Sequence, residues 1–180
     1  VGQATLTFEK PYSQKIVFRF EDYTMVSGFN GYEGYEYIET IDDNGQPQRR
    51  IRSVGGEDVR RSKAAAVENL SFFRPFEFDS ENVIDHGQVD LDGAEAHKIS
   101  FIHNERFTFT RFFDTATGDL LRTELDTGMV MIEEGELVRD AIRFAAKISG
   151  VLEGQPSFEI VMEDVIVNPE LSPAFFDFPE

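Results

Sequence analysis

The chain contains no cysteine and no tryptophan, and only 5 of its 180 residues are lysine. Without cysteine there is no disulfide framework, no Cys-ligated zinc and no thiol nucleophile. No stretch approaches the roughly 20 uninterrupted apolar residues of a spanning helix, and no basic, apolar, small-residue signal peptide is present. Positive charge is scarce: 17 Lys and Arg stand against 34 Asp and Glu, a net charge of −17. Such a field repels phosphate backbones and anionic bilayers, so neither nucleic acid nor a membrane surface is expected as a partner. The chain opens at Val1 within strand-like sequence, which leads us to expect a leader or N-terminal helix upstream.

What is present is ordinary globular material, 41% hydrophobic and 28% charged, of a length that suits a single domain over 1–180. Phenylalanine is abundant, with 18 Phe against 5 Tyr. That many Phe either fill a core or line a cavity wide enough for an acyl chain. The acidity has two open readings, adaptation to high salt or simply a soluble acidic face.

Period-two alternation of apolar and polar side chains dominates, which in extended chain sorts them onto opposite sheet faces. Ala4, Leu6 and Phe8 alternate with polar neighbours, as do Ile16, Phe18 and Phe20 after the Pro11 turn. These two strands are expected to form a hairpin. Tyr23 to Phe29 continues as a third strand, Gly31 and Gly34 break it, and Tyr35 and Tyr37 share a face on a fourth. Asp43-Asn44-Gly45 supplies a tight turn, and Arg49 to Val54 returns. After Gly55 and Gly56, residues Glu57 to Phe73 are the one good helix candidate. Val59, Ser62, Ala66, Leu70 and Phe73 form its stripe, and Pro75 ends it. A lone helix in a long meander usually covers one face or mouth of the sheet, as a lid does.

The second half reads as strands at Val83–Val89, Ala96–His103, Glu105–Phe113, Leu120–Leu125, Met129–Ile132, Leu137–Ala146 and Phe158–Val167. Asp92-Gly93, Thr117-Gly118 and Gly154 to Pro156 mark turns. The segment from Leu137 also fits helical spacing through Val138, Ile142 and Ala145, with strand favoured.

Chemistry is hard to find. His97 and His103 on one strand would share a face about 20 Å apart, too far for one metal ion unless a turn at Asn104 intervenes. Asp90-Leu91-Asp92-Gly93 and Asp114 to Asp119 read as turns before they read as calcium loops. No G-x-S-x-G elbow, H-E-x-x-H helix or phosphate-cradling glycine loop occurs. The expectation is a non-enzyme without metal or cofactor.

Four stretches carry a resemblance. Ser27 to Tyr35 is similar to a strand in which Asp or Asn-Gly precedes an aromatic, with Tyr35 in the aromatic place. Gly87 to Ile99 resembles a strand pair around Asp92-Gly93 and Ala96. Phe112 to Leu121 resembles a hairpin centred on Asp114 and Thr117-Gly118. The tail from Val165 to Pro179, with Asn168, Leu171 and Phe176, is similar to a closing segment. Their order resembles the LolA-type family of periplasmic lipoprotein carriers and outer-membrane lipoprotein-sorting proteins. The resemblance implies a mainly β (α+β) fold, a strongly curved antiparallel half-open barrel with a helical lid, in the periplasm or another extracytoplasmic compartment. It implies an apolar cavity for a lipid or lipoprotein acyl chain, with an envelope protein as a further partner. Strand parity and the helix stripe nominate Phe18, Phe20, Met25, Tyr35, Tyr37, Leu70, Phe73, Phe107, Phe109 and Met162 as its lining. The alternative is an interaction or sensor module of the envelope on the same scaffold without an internal ligand.

Overall fold

The computed structural model describes residues 1–71, 82–103 and 107–179. The expected alternation becomes, among the described residues, a mainly β structure of antiparallel strands with one α-helix. The chain divides into two compact units, Val1–Arg74 with Leu171–Glu180, and Pro75–Glu170. Among the described residues no sheet is closed, and no helix is long and apolar enough to cross a membrane.

The first unit is a five-stranded meander, β1 (Gln3–Glu9), β2 (Ser13–Arg19), β3 (Tyr23–Phe29), β4 (Gly34–Ile41) and β5 (Pro47–Val54), in sequential order. Its turns use the chemistry their residues supply. Gly45 takes a φ of 76° between β4 and β5, while Asp42 Oδ1 accepts bonds from the Asn44 and Gln46 amides at 2.9 and 2.8 Å. Helix α1 (Glu57–Ser71) begins three residues after β5, with Glu57 and Asp58 in its first turn against the positive end of the helix dipole. The expected helix to Phe73 is borne out as far as Ser71, and the rest lies outside the described residues.

Helix α1 packs on one face of this sheet and the C-terminal segment on the other. Phe29, Ala64 and Ala66 are buried on the helix side, and Tyr12 lies beside Phe29, its ring centroid 6.4 Å away, beneath the Lys63 ammonium at 4.2 Å. On the far side Val26, Tyr35 and Phe176 are buried. There the Phe178 ring meets Tyr35 edge-on at 5.6 Å, and Lys15 Nζ donates to the Phe175 carbonyl at 3.1 Å.

The second unit is a seven-stranded sheet in the order β14-β13-β10-β9-β8-β7-β6. Its strands are β6 (Val83–Leu91), β7 (Ala94–His103), β8 (Phe107–Asp114), β9 (Leu120–Leu125), β10 (Met129–Glu134), β13 (Lys147–Leu152) and β14 (Gln155–Val161). Asp92 and Gly93 both take positive φ, 54° and 90°, as a two-residue hairpin requires. The expected strand from Leu137 to Ala146 is a separate hairpin, β11 (Leu137–Arg139) and β12 (Ile142–Phe144). Asp140 and Ala141 both adopt positive φ and reverse the chain. The strand expected over Phe158–Val167 starts earlier and ends at Val161, because Lys147 is the last ladder partner that β13 offers it.

Carboxylates that accept backbone amides hold several of these turns. Asp114 Oδ1 accepts from the Ala116 and Thr117 amides at 2.8 Å each, and these bonds hold its carboxyl below the usual range. Backbone amides likewise lower Asp42, and Asp85 is lowered first by the Gly87 amide and then by His97. A depressed native pKa contributes stability above the unfolded value of about 4, which is lost as pH falls through the native one. Asp114→Asn is therefore expected to flatten the acid limb of a plot of unfolding free energy against pH between pH 5 and 2 (an interval of about 3 units around that value). An acid limb identical to that of the parent protein would refute the assignment.

Candidate functional site

Register decides which side chains share a surface on the five-stranded sheet. Gln14, Phe29, Gly34 and Val54 form one transverse row. Because α1 leaves directly from Val54, it crosses the sheet at this end. The next row on the same face is Ile16, Ser27, Glu36 and Arg52, and the one after is Phe18, Met25 and Ile38, ending on exposed Arg50. This last row stays open: Met25 is 40% and Ile38 46% exposed, with Phe18 half-buried beside them. Contiguous exposed apolar side chains on one sheet face mark a surface with a use.

Two of the nominated residues, Phe18 and Met25, are thus direct cross-strand partners. Tyr35 and Tyr37 are not with them. Phe29 pairs with Gly34 and Met25 with Ile38, so the even-numbered residues of β4 face α1 and the tyrosines face the C-terminal segment. Tyr35 is 1% exposed, a core residue whose ring lies across Gly28. Tyr37 is half-buried under the Arg49 guanidinium, 4.7 Å from its ring. Period-two parity within each strand was legible, but the phase between strands depends on how the Asn30 to Glu33 turn sets the register. Phe20 lies just beyond β2 and stacks on Tyr23 at 4.7 Å. Leu70 is half-buried near the end of α1, and Phe73 lies outside the described residues.

On the seven-stranded sheet, Phe107 and Phe109 share a face with Phe101, Leu125, Met131 and Ile148. Phe107 is 1% exposed and belongs to the core, whereas Phe109 is half-buried. Met162 follows β14 and its amide donates to the Ala146 carbonyl at 2.8 Å. Arg111 and Glu133 are charges on this face that are withdrawn from solvent. Arg111 is buried, with its guanidinium 5.0 Å over the Phe101 ring, and Glu133 is half-buried two residues beyond Met131 on β10.

Burial pushes the Glu133 carboxyl upward, and the Arg111 charge opposes that shift. With a native pKa above the unfolded one, the protonated carboxyl contributes stability below the unfolded value. That contribution disappears as pH rises through the native pKa. Arg111→Met removes the opposing charge, so Glu133 is expected to titrate still higher. A carbon-13 NMR titration of its carboxyl would measure this, and an unchanged or lower pKa would defeat the assignment.

The histidines have local partners. His97 Nε2 is 2.7 Å from Asp85 Oδ1, His86 Nε2 is 2.9 Å from Ser100 Oγ on the opposite face, and His103 meets the Phe109 ring edge-on at 5.7 Å. Among the described residues no three His, Asp or Glu side chains gather as metal ligands.

One feature escaped sequence reasoning. A cleft of about 290 Å³ lies between α1 and the sheet, bordered by Gln14, Ser27, Glu36 and Arg52 below and by Asp58, Arg61 and Ser62 above. The signal for it was Gln14 itself, a polar residue in the apolar phase of Gln14, Ile16 and Phe18. Comparison with protein-family models and with curated proteins finds no match for this chain.

Proposed function

We propose that the protein is a non-enzymatic binding protein of the bacterial envelope, outside the cytoplasm, that holds a lipid or lipoprotein acyl chain. The proposal includes the LolA-type architecture, a strongly curved half-open barrel in which α1 acts as the lid. The observation that carries the reading is the open row of Phe18, Met25 and Ile38 beside α1. An acyl chain laid along such a row gains about 0.8 kcal/mol per buried CH₂ without any polar group. The fold supports the coarser part of this reading, a mainly β structure of antiparallel strands with α1 packed on one sheet.

Native mass spectrometry of the purified protein, with organic extraction, tests the reading. Bound lipid or a fatty acyl species is expected, together with saturable uptake of a fluorescent fatty acid. Met25→Asp alters an exposed position, so it is expected to fold and to weaken uptake by tenfold or more. Phe109→Asp reports whether the other sheet contributes. A clean apo mass with no uptake would overturn ligand carriage and favour an envelope interaction module.

A further inference from the structure

The cleft under α1 differs in chemistry from the apolar row next to it. Gln14 is 6% exposed and borders the cleft, and its amide makes no side-chain hydrogen bond among the described residues. The Ser27 and Ser62 hydroxyls, which also line it, are likewise without a partner there. The polar atoms of these three side chains are not sealed from solvent, so each keeps its hydrogen-bonding capacity available to a molecule that enters the cleft.

The ion pair in the floor is one-sided. Arg52 donates through Nε, at 3.0 Å, and through Nη2, both to Glu36 Oε2. Glu36 Oε1 and Arg52 Nη1 therefore remain as an acceptor and a donor on a solvent-exposed pair. Glu36 and Asp58 balance Arg52 and Arg61, so the lining has no net charge. Among the described residues no aromatic side chain borders it for a nucleobase to stack on. The field of a chain with net charge −17 disfavours anions.

We propose that this cleft binds a small neutral polyhydroxylated molecule, a sugar residue or polyol. Each hydroxyl both donates and accepts, which matches an alternating set of amide, hydroxyl, carboxylate and guanidinium groups. The volume of about 290 Å³ stands at the lower end of the roughly 300–1,000 Å³ of ligand pockets. Closely approaching backbone helps: Gly28 and Gly34 border the cleft, and at Gly34, whose phase faces α1, a larger side chain would intrude on it.

The test is a nitrogen-15 NMR titration of the full chain with glucose, trehalose, inositol and, as charged controls, glycine betaine and glucose 6-phosphate. Saturable shifts are expected with at least one neutral polyol at the Gln14, Ser27 and Ser62 amides, and the Gln14 side-chain amide should move with them. Gln14→Leu is expected to weaken that binding at least tenfold. Ser62→Leu, which fills the cleft from the helix, should do the same if Gln14→Leu fails to fold. Absence of shifts with every neutral polyol, binding of only a charged control, or full affinity in both variants would overturn the proposal. Fatty acid uptake through Phe18 and Met25 is a separate readout and is expected to survive Gln14→Leu.

Discussion

Gly28→Val is expected to destabilise the first unit by about 3 kcal/mol, at the upper end of overpacking costs. Gly28 pairs with Tyr35 across β3 and β4, and the tyrosine ring lies over the glycine where a side chain would stand. Any Cβ at Gly28 meets that ring. The ring cannot simply swing aside, since Phe178 packs against it edge-on and the residue is fully buried beneath the C-terminal segment. Valine therefore displaces Tyr35, opens the contact with Phe178 and strains the β3–β4 ladder. Gly55→Ala is the matched control, because nothing lies within 4 Å of the Cβ it would add. Urea unfolding is expected to show a lower midpoint for Gly28→Val alone. Equal midpoints for the two variants would mean that Tyr35 is free to repack.

Phe112→Ala should cost the second unit a comparable 3 kcal/mol or more, the range of buried Phe truncations. Phe112 is buried although it points to the more polar face of its sheet. Its cross-strand neighbours are Lys98 on β7 and Arg122 on β9. Both bring their cations over the ring, at 5.5 and 5.4 Å from its centre, so their alkyl stems cover it. Arg122 is held in place by Glu124 and by Asp92. Truncation leaves a void that two long, tethered side chains fill only in part. Phe112→Leu, which keeps apolar volume but no π face, is expected to restore more than half of the loss. A melting temperature for Phe112→Ala within a degree of the parent would show that the cations, not the ring, organise this patch.

The same residues show how far reasoning from the sequence reaches. Alternation located nearly every strand, since a sheet face sorts side chains by polarity whatever the partner strand is. Asp92-Gly93 and Asn44-Gly45 located turns because few residues tolerate positive φ. The helix was legible from the stripe of Val59, Ser62, Ala66 and Leu70 that starts after Gly55 and Gly56. The Leu137 segment was less so: its hairpin turns at Asp140 and Ala141, and alanine carries no expectation of a positive φ.

The candidate sites divide along the same line. Phe18 and Met25 were nominated from parity within their own strands, and adjacent antiparallel pairing brought them together. Tyr35 and Tyr37 met the same criterion and ended on the other face, because one residue of phase in a turn inverts every side chain that follows. Gln14 stands just before the alternating run of Ile16, Phe18 and Phe20 and was not singled out, although burial beneath α1 gives it its interest.

Composition and pattern by themselves determined that this chain folds as mainly β structure with a helix from Glu57, carries a strongly negative field and has no cysteine chemistry. Those properties are local or additive, so they survive without knowledge of the fold. Tertiary structure alone decided the register between strands, the return of the C-terminal aromatics onto the far face of the first sheet, and the cleft under α1. Each of these joins residues distant in sequence, as Lys15 joins Phe175. Such pairings depend on which long-range contacts offset the entropy of closing the intervening chain, and no local sequence signal records that balance.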